Sequence, residues 1–482
     1  MAVDTYDAII IGSGQGGTPL ANAFATAGRK TALIEREHLG GCCTNEGCTP
    51  TKTIVASGRV AYLTRRGQDF GVHTNTSISS KNDVIIDLLT MRQRRRHIVS
   101  KFRGRIEGRA VEAGVDVLFG EARFIDSHTL NVRMTDGGNN RTERVVQGQT
   151  IFINTGGRPS LPKLKGIETI DRSRVLDSTS AQELDALPAH LVVIGGGYVG
   201  VEFAQFYHQL GVPVTIVQRA GQLLPREDRD IAQALQDLLR EDGLTVYVDA
   251  TTTSISPSPS SSETFDLAIR FNEGARTITG THILFAAGRV PNTDMLNLPA
   301  AGVKTDSKGF VVVNEYLETS TPSIYALGDV KGPPSFTHIS YDDFRILRAN
   351  LLEAPEARKR STKDRIVPYV VYSDPQLGHV GLHEQEARAK FPDKKILTAT
   401  MAMTDVARAL ETDEVRGLMK AVVDGDTGLI LGFTCLAVEG GELMSLVETA
   451  MIGDVPYQKL EGAIWSHPTW AESMNNLWSF LK

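Results

Sequence analysis

Residues 6–17 read YDAIIIGSGQGG, an apolar run from Tyr6 to Ile11 that stops in a glycine-rich turn, and residues 18–28, TPLANAFATAG, continue in a helix-compatible pattern. Strand, tight turn, helix is the local order that grips a dinucleotide. Gly12 permits the turn, Gly14 lets the backbone approach a pyrophosphate, and Gly17 allows close helix packing, while the helix N-terminus offers N–H groups to the phosphates. The next strand, Thr31-Ala32-Leu33-Ile34-Glu35, ends in a carboxylate suited to a ribose hydroxyl pair.

The pattern recurs downstream. Leu191 to Ile194 lead into Gly195-Gly196-Gly197-Tyr198-Val199-Gly200, then VEFAQFYHQLG and the strand Val214-Thr215-Ile216-Val217. Two copies in matching context exclude an accidental glycine turn as the simplest reading. Glu35 lies 23 residues after Gly12, and the residue 23 after Gly195 is Gln218, followed by Arg219. A carboxylate at that place repels a 2'-phosphate, whereas an amide beside a guanidinium accepts one. The second copy is therefore expected to prefer NADPH over NADH, with Gly195, Gly197, Tyr198, Gly200, Gln218 and Arg219 in its site and Arg226 as a further phosphate contact.

At 482 residues the chain is long enough for about three domains. Lys and Arg number 51 against 57 Asp and Glu, a net charge of -6, which argues against a nucleic-acid binder. The start MAVDTYDAIIIGSG leaves no room for a signal or transit peptide, and no run reaches the roughly 18 apolar residues of a membrane span. A cytoplasmic protein is expected, a setting in which clustered thiols serve catalysis or metal binding more often than stapling.

Residues 41–52, GCCTNEGCTPTK, hold three of the four cysteines, the fourth being Cys435. Cys43 and Cys48 are five positions apart. On a regular helix that spacing separates the Cα atoms by roughly 9 Å, beyond the roughly 7 Å that a disulfide bridges. A bridge therefore requires an irregular first turn, which Pro50 favours because it tolerates a helix start better than an interior. A helix N-terminus also lowers a thiol pKa. Zinc sites normally take four ligands in paired spacings, which these cysteines do not offer, and no metal site is expected.

With these residues in place, the chain resembles the class I pyridine nucleotide-disulfide oxidoreductases, the flavoenzyme family of glutathione reductase, lipoamide dehydrogenase and mercuric reductase. GCCTNEGCTPTK is similar to the family's GGTCxNxGCxPSK redox helix, with Cys42 where Thr is usual and Thr51 where Ser is usual. The resemblance runs the length of the chain. It implies an α/β fold of two Rossmann-type domains, for FAD and NAD(P), plus a C-terminal α+β dimerisation domain. The boundaries it suggests are 1–157 for the first part of the FAD domain, 158–288 for the NAD(P)H domain, 289–363 for a segment completing the FAD domain, and 364–482 for the dimerisation domain.

The same resemblance implies roles. Cys48 faces the flavin and Cys43 meets the acceptor; Lys52 lies near the flavin and pairs with Glu202. Tyr198 covers the flavin until nicotinamide displaces it. FAD contacts fall on Gly12, Gly14, Gly17, Glu35, Lys52, Ala122, Thr155, Gly156 and Asp329, while Gly288 joins the NADPH site. INTGGRP (153–159 with Ile153) and AAGRVPNT (286–293) match the two crossings between domains. Near the C-terminus, a carboxylate five residues after His467 can orient its imidazole. The stretch SHPTWAE resembles the family's HPTxxE signature, whose His467 and Glu472 would enter the other subunit's site in an obligate homodimer.

VTIVQRAGQLLPRED, FTHISYDDFRI (336–346) and YSDPQLGHVGL (372–382) resemble the mercuric reductase branch and the copper-reducing hypochlorite-resistance flavoproteins. No vicinal cysteine pair stands near the C-terminus and no N-terminal CxxC module precedes the first strand, which weakens mercury handling. The expected reaction passes electrons from NADPH through FAD to Cys43 and Cys48, then to a small-molecule disulfide or soft metal ion. Reduction of a natural-product disulfide and a mainly structural flavoprotein are the alternatives. Cys42 reads either as an aid to soft-metal capture or as a small buried neighbour of the flavin. The basic run 92–109, RQRRRHIVSKFRGRIEGR, reads as a solvated helix face, and SISPSPSSSE (254–263) as a surface turn between strands.

Overall fold

The structure is a computed structural model describing residues 3–73, 84–135, 142–353 and 360–482. The chain divides into two compact units, one built from residues 1–54, 89–160 and 289–365, the other from 55–88, 161–288 and 366–482.

In the first unit, β1 (Asp4–Ile11) leads through the glycine turn into α1 (Gly17–Thr26), and β2 (Thr31–Glu35) follows. Then come α2 (Gly41–Asn45), α3 (Cys48–Arg65), of which residues 48–54 belong to this unit, α4 (Leu88–Glu112), β3 (Asp116–Phe124), β4 (Thr129–Met134) and β5 (Glu143–Ile153). β3, β2, β1, β5 and the strand Ile324–Ala326 lie side by side in parallel, while the far half of β3 pairs antiparallel with β4, and β4 with β5. Successive residues of a strand point to opposite faces. Accordingly Ile9 and Ile11 pack into one core with Ile34 and Ile153, and Ala8 and Ile10 into another with Leu33 and Phe152. An apolar run without alternation is what a parallel strand covered on both faces needs.

The second unit repeats the plan. Its parallel sheet runs in the order 245–247, 214–217, 191–194, 282–285, 175–176, with α5 (Tyr198–Gln209) after the second glycine turn and α6 (Arg229–Glu241) further on. A three-stranded antiparallel sheet of residues 251–257, 265–271 and 274–280 is attached. The C-terminal part is a five-stranded antiparallel sheet with the helix Gly440–Ile452, around a core of Phe433, Met419, Val447 and Trp478. The fold is thus two Rossmann-type sheets followed by an α+β segment, the architecture that the resemblance implies. Cys435 is fully buried in this core, where desolvation pushes its thiol well up.

One expectation changes here. Residues 254–257 are not turn but the end of the strand Thr251–Pro257, because Ile255 alternates into the core at 2% exposure; the turn begins at Ser258. Among the described residues no helix is long and apolar enough to cross a membrane.

Candidate active site

The two glycine turns are built alike. Gly12 has φ +99° and Gly195 φ +108°; a Cβ on the first would lie 2.4 Å from the Asn154 carbonyl oxygen, and on the second 2.5 Å from that of Ala286. A Cβ on Gly17 would strike the Gly12 carbonyl oxygen at 2.1 Å and one on Gly200 that of Gly195 at 2.0 Å, so both helices lie hard against their turns. Gly156 and Gly288 both take positive φ just after the crossing strands. The residue 23 positions on performs one further shared task. Glu35 Oε2 accepts from Ser13 N at 3.1 Å and from Ser13 Oγ at 2.6 Å. Gln218 Oε1 accepts from Gly196 N at 3.1 Å.

That bond alters the reading of Gln218. It is buried, with its Nε2 donating to the Gln222 carbonyl at 3.2 Å, so its side chain is committed to the turn, while Arg219 and Arg226 stand exposed. Ala122 lies within β3 with its methyl in the core, and Thr155 Oγ1 donates to the Asn292 carbonyl at 2.8 Å.

The redox segment touches the first turn directly. Gly41, at φ +61°, would carry a Cβ 2.6 Å from Gly14 Cα. α2 ends at Asn45 and α3 starts at Cys48, with Glu46 N and Gly47 N both donating to the Cys42 carbonyl, at 2.9 and 2.6 Å. This break resolves the spacing problem: Cys43 ends up on one short helix and Cys48 on the first turn of another. None of the three cysteines of the segment is in a disulfide. A hydrogen bond from Cys43 to Cys48, together with burial, pushes the Cys43 thiol far up. Cys48 opens α3, where the positive helix end favours a thiolate, and its Sγ lies 3.2 Å from Thr337 Oγ1. Lys52 follows one turn on, half-buried.

Cys42 has its own partner. Arg289 Nη2 donates to Cys42 Sγ at 3.4 Å and also to the Gly157 carbonyl. Burial raises the Cys42 thiol and Arg289 draws it back. Asp329 is likewise pushed up by burial and held down by Arg289 and Lys331. The loop bearing it is fixed by Asp343, fully buried, which accepts from Gly328 N at 2.9 Å and pairs with Lys331 and Arg365.

The basic helix corrects a second expectation. α4 is not merely solvated: Arg95 is 4% exposed, Arg94 donates to the Thr53 carbonyl at 3.0 Å, and Arg103 Nε and Nη2 grip Asn45 Oδ1 at 3.0 and 2.8 Å. Asn45 in turn donates to the Gly41 and Leu39 carbonyls at 2.9 and 3.0 Å, so Arg103 clamps the short helix that carries Cys43. Charge counting hides this, because the partner is an uncharged side chain 58 positions away. Thr337 and Arg289 also escape spacing arguments, although both lie in segments whose likeness to the family is visible.

In the second unit, Glu202 is 5% exposed on α5 and accepts from Tyr372 N at 2.9 Å. His467 Nδ1 sits 2.9 Å from Glu472 Oε2, with the imidazole largely exposed.

Two dinucleotide grips and a dithiol at a helix start define a flavin-linked thiol oxidoreductase, and the chain belongs to that family. The model of the pyridine nucleotide-disulphide oxidoreductases matches residues 6–343, and that of their dimerisation domain residues 367–478. The probable pyridine nucleotide-disulfide oxidoreductase RclA of Escherichia coli K12 is 36% identical over the full length of both chains. Mercuric reductase of Staphylococcus aureus is 34% identical over 97% of this chain and 81% of that one. The solved structure described as the Cu(II) complex of HOCl-induced flavoprotein disulfide reductase RclA from Escherichia coli superposes with a TM-score of 0.86 at 35% identity, covering all of both chains. The protein is accordingly an oxidoreductase and flavoprotein that uses FAD and a pyridine nucleotide, with a redox-active cysteine pair and a dimerisation domain.

The first unit fits FAD on its own chemistry. Asn154 is buried behind the first turn with an Oδ1 that has no hydrogen-bond partner, Gly14 keeps the turn open to a close approach, and the carboxylates of Glu35 and Asp329 are held by neighbouring groups. These residues would hold its phosphates and hydroxyls.

Proposed function

We propose that the protein oxidises NADPH and delivers the electron pair through the Cys43 and Cys48 thiols to a small-molecule disulfide or a soft metal ion. The observation that carries this reading is the helix break that brings Cys43 within hydrogen-bonding reach of Cys48 at the start of α3. When bound, FAD accepts a hydride from the nicotinamide and passes an electron pair to a disulfide. The oxidised Cys43–Cys48 pair gains two electrons and two protons. With a disulfide acceptor, Cys43 passes its proton to His467 and attacks one sulfur, releasing the first thiol; Cys48 then attacks the mixed disulfide and releases the second. His467, oriented by Glu472 and supplied by the partner subunit, would protonate the leaving sulfur. With Cu(II), one dithiol reduces two ions to Cu(I) and sheds two protons; likeness to RclA, whose Cu(II) complex is known, supports that acceptor.

In this reading the FAD domain comprises 1–157 and 289–363, the NADPH domain 158–288 and the dimerisation domain 364–482. Lys52 and Glu202 pair beside the flavin, Arg219 supplies the contact to a 2'-phosphate, and the protein works as a cytoplasmic homodimer. The test is NADPH oxidation with a panel of disulfides, Cu(II) and Hg(II) by wild type and Cys48→Ser. Turnover falls at least 10³-fold in the variant on the scale of lost catalytic nucleophiles; undiminished turnover would remove the dithiol route.

A further inference from the structure

Glu227 belongs to no element of the reading above, yet it sits at the centre of a polar cluster inside the second unit. It is 4% exposed, its Oε2 has no hydrogen-bond partner, and burial pushes its carboxyl up. Its Oε1 accepts from Tyr369 Oη at 2.6 Å and from Tyr198 Oη at 3.2 Å, and the two phenol rings stack with centroids 5.4 Å apart. His383 Nε2 lies 3.2 Å from Tyr369 Oη, and His379 stacks on His383 at 3.9 Å.

Glu227, His379 and His383 have the composition of a divalent metal set. Their geometry argues otherwise. The imidazoles are within 17° of parallel, so their in-plane lone pairs do not converge, and both His379 nitrogens already face partners, Thr434 Oγ1 at 2.8 Å and the Gly381 carbonyl at 3.2 Å. The cluster is a hydrogen-bond scaffold, and what it supports is Tyr198.

Tyr198 is the first residue of α5, directly after Gly197. A dinucleotide gripped at this turn lays its pyrophosphate on the helix N-terminus, and with its adenosine half toward Arg219 its nicotinamide half runs past that first residue. The loop holding Glu227 is anchored to the same turn. Leu224 N donates to the Gly196 carbonyl at 2.7 Å, and Leu224 adopts φ +44°, a strained conformation for a β-carbon residue. Gln222 Nε2 donates to the Glu227 carbonyl at 3.0 Å while its own carbonyl accepts from Gln218 Nε2. One run of ten residues therefore carries the 2'-phosphate arginines on its surface and the Tyr198 acceptor in its interior.

We propose that Glu227 is a positioning residue of the second dinucleotide site, holding the Tyr198 ring across the path of the nicotinamide half so that a nucleotide must break the Tyr198–Glu227 hydrogen bond to seat. This rests on the reading of Gly195–Gly200 as a nucleotide grip. Truncating the acceptor removes a bond that binding otherwise has to break, so affinity rises.

The test is calorimetric titration of NADP+ into the oxidised, FAD-loaded protein. Glu227→Leu lowers the Kd about tenfold, the scale of one hydrogen bond to a carboxyl group. Tyr198→Phe, which removes only the hydroxyl, lowers it by the same factor, and Glu227→Gln, which restores an oxygen acceptor, recovers most of the wild-type Kd. In the Tyr198→Phe background Glu227→Leu adds less than about twofold, because the bond is already gone. Equal effects of Glu227→Leu in both backgrounds overturn the proposal, as does an unchanged Kd in Tyr198→Phe. One equivalent of metal in the purified protein, lost in Glu227→Gln, overturns it in favour of a metal site. If wild type and every variant fail to bind NADP+, the grip itself is misread and the proposal falls with it.

Discussion

The two glycine turns are the same device with one part changed. At each, a side chain 23 residues on captures the second amide of the turn, Ser13 N by Glu35 and Gly196 N by Gln218. A carboxylate and an amide do this equally well, since each offers one oxygen to one N–H. The structural task therefore leaves the charge of that residue unconstrained, and the charge is what a bound ribose or 2'-phosphate would sense. A second difference lies behind the turns. Asn154 stands behind the first and Ala286 behind the second, while only the second leans on a buried carboxyl, two tyrosines and two histidines.

Breaking each turn separately has the largest expected effect. Gly12→Ala and Gly195→Ala each force a β-carbon onto a carbonyl oxygen at positive φ, costing roughly 3–6 kcal/mol of strain and overpacking. Gly12→Ala should purify without flavin absorbance; Gly195→Ala should keep the yellow colour yet fail to bleach with NADPH. Loss of flavin from both would show that the copies are not independent.

The buried histidines should make the second unit the acid-sensitive one. Burial and His383 hold His379 down to about 3 from an ordinary 6.5. The unfolded chain then binds a proton that the folded one refuses, so this contribution to stability is present above pH 6.5 and is lost as pH falls toward 3. The loss amounts to about 5 kcal/mol at most. Denaturant melts from pH 7 to 4 check it: His379→Asn should flatten the decline, and an unaltered slope would place the sensitivity elsewhere.

Exchanging the part that differs comes next. Gln218→Glu with Arg219→Ala keeps the acceptor for Gly196 N but installs the first copy's charge, and should shift the nucleotide preference toward NADH by about 10–100-fold, or roughly 1.5–3 kcal/mol. The smallest effect concerns the clamp on the first unit. Arg103→Ala releases Asn45 and should cost about 1–2 kcal/mol, seen as slower acceptor reduction while NADPH still bleaches the flavin at its normal rate.

Much of this was legible in the chain because glycines and apolar runs act locally. Gly12, Gly17, Gly195 and Gly200 announce both turns, and the 23-residue interval picks out Glu35 and Gln218 without any contact being known. The break between α2 and α3 was demanded by the five-residue spacing of Cys43 and Cys48, although its position at Glu46 and Gly47 was not. What escaped depends on contacts far apart in sequence. Gln218 reads as a ligand contact, and no spacing shows that its side chain also caps the turn. Arg103 reads as a solvated charge, since no pattern in α4 reveals that Asn45 lies under it. Glu227 is one acid among 57 Asp and Glu until Tyr198 and Tyr369 converge on it.

The central claim, that the second grip differs from the first in order to admit a 2'-phosphate, rests most directly on kcat/KM for NADPH and NADH measured side by side in wild type and Arg219→Ala. Wild type should favour NADPH by at least tenfold, and Arg219→Ala should erase most of that preference by lowering the NADPH value alone. Equal values for the two nucleotides in wild type, or a preference that survives the loss of Arg219, would contradict it.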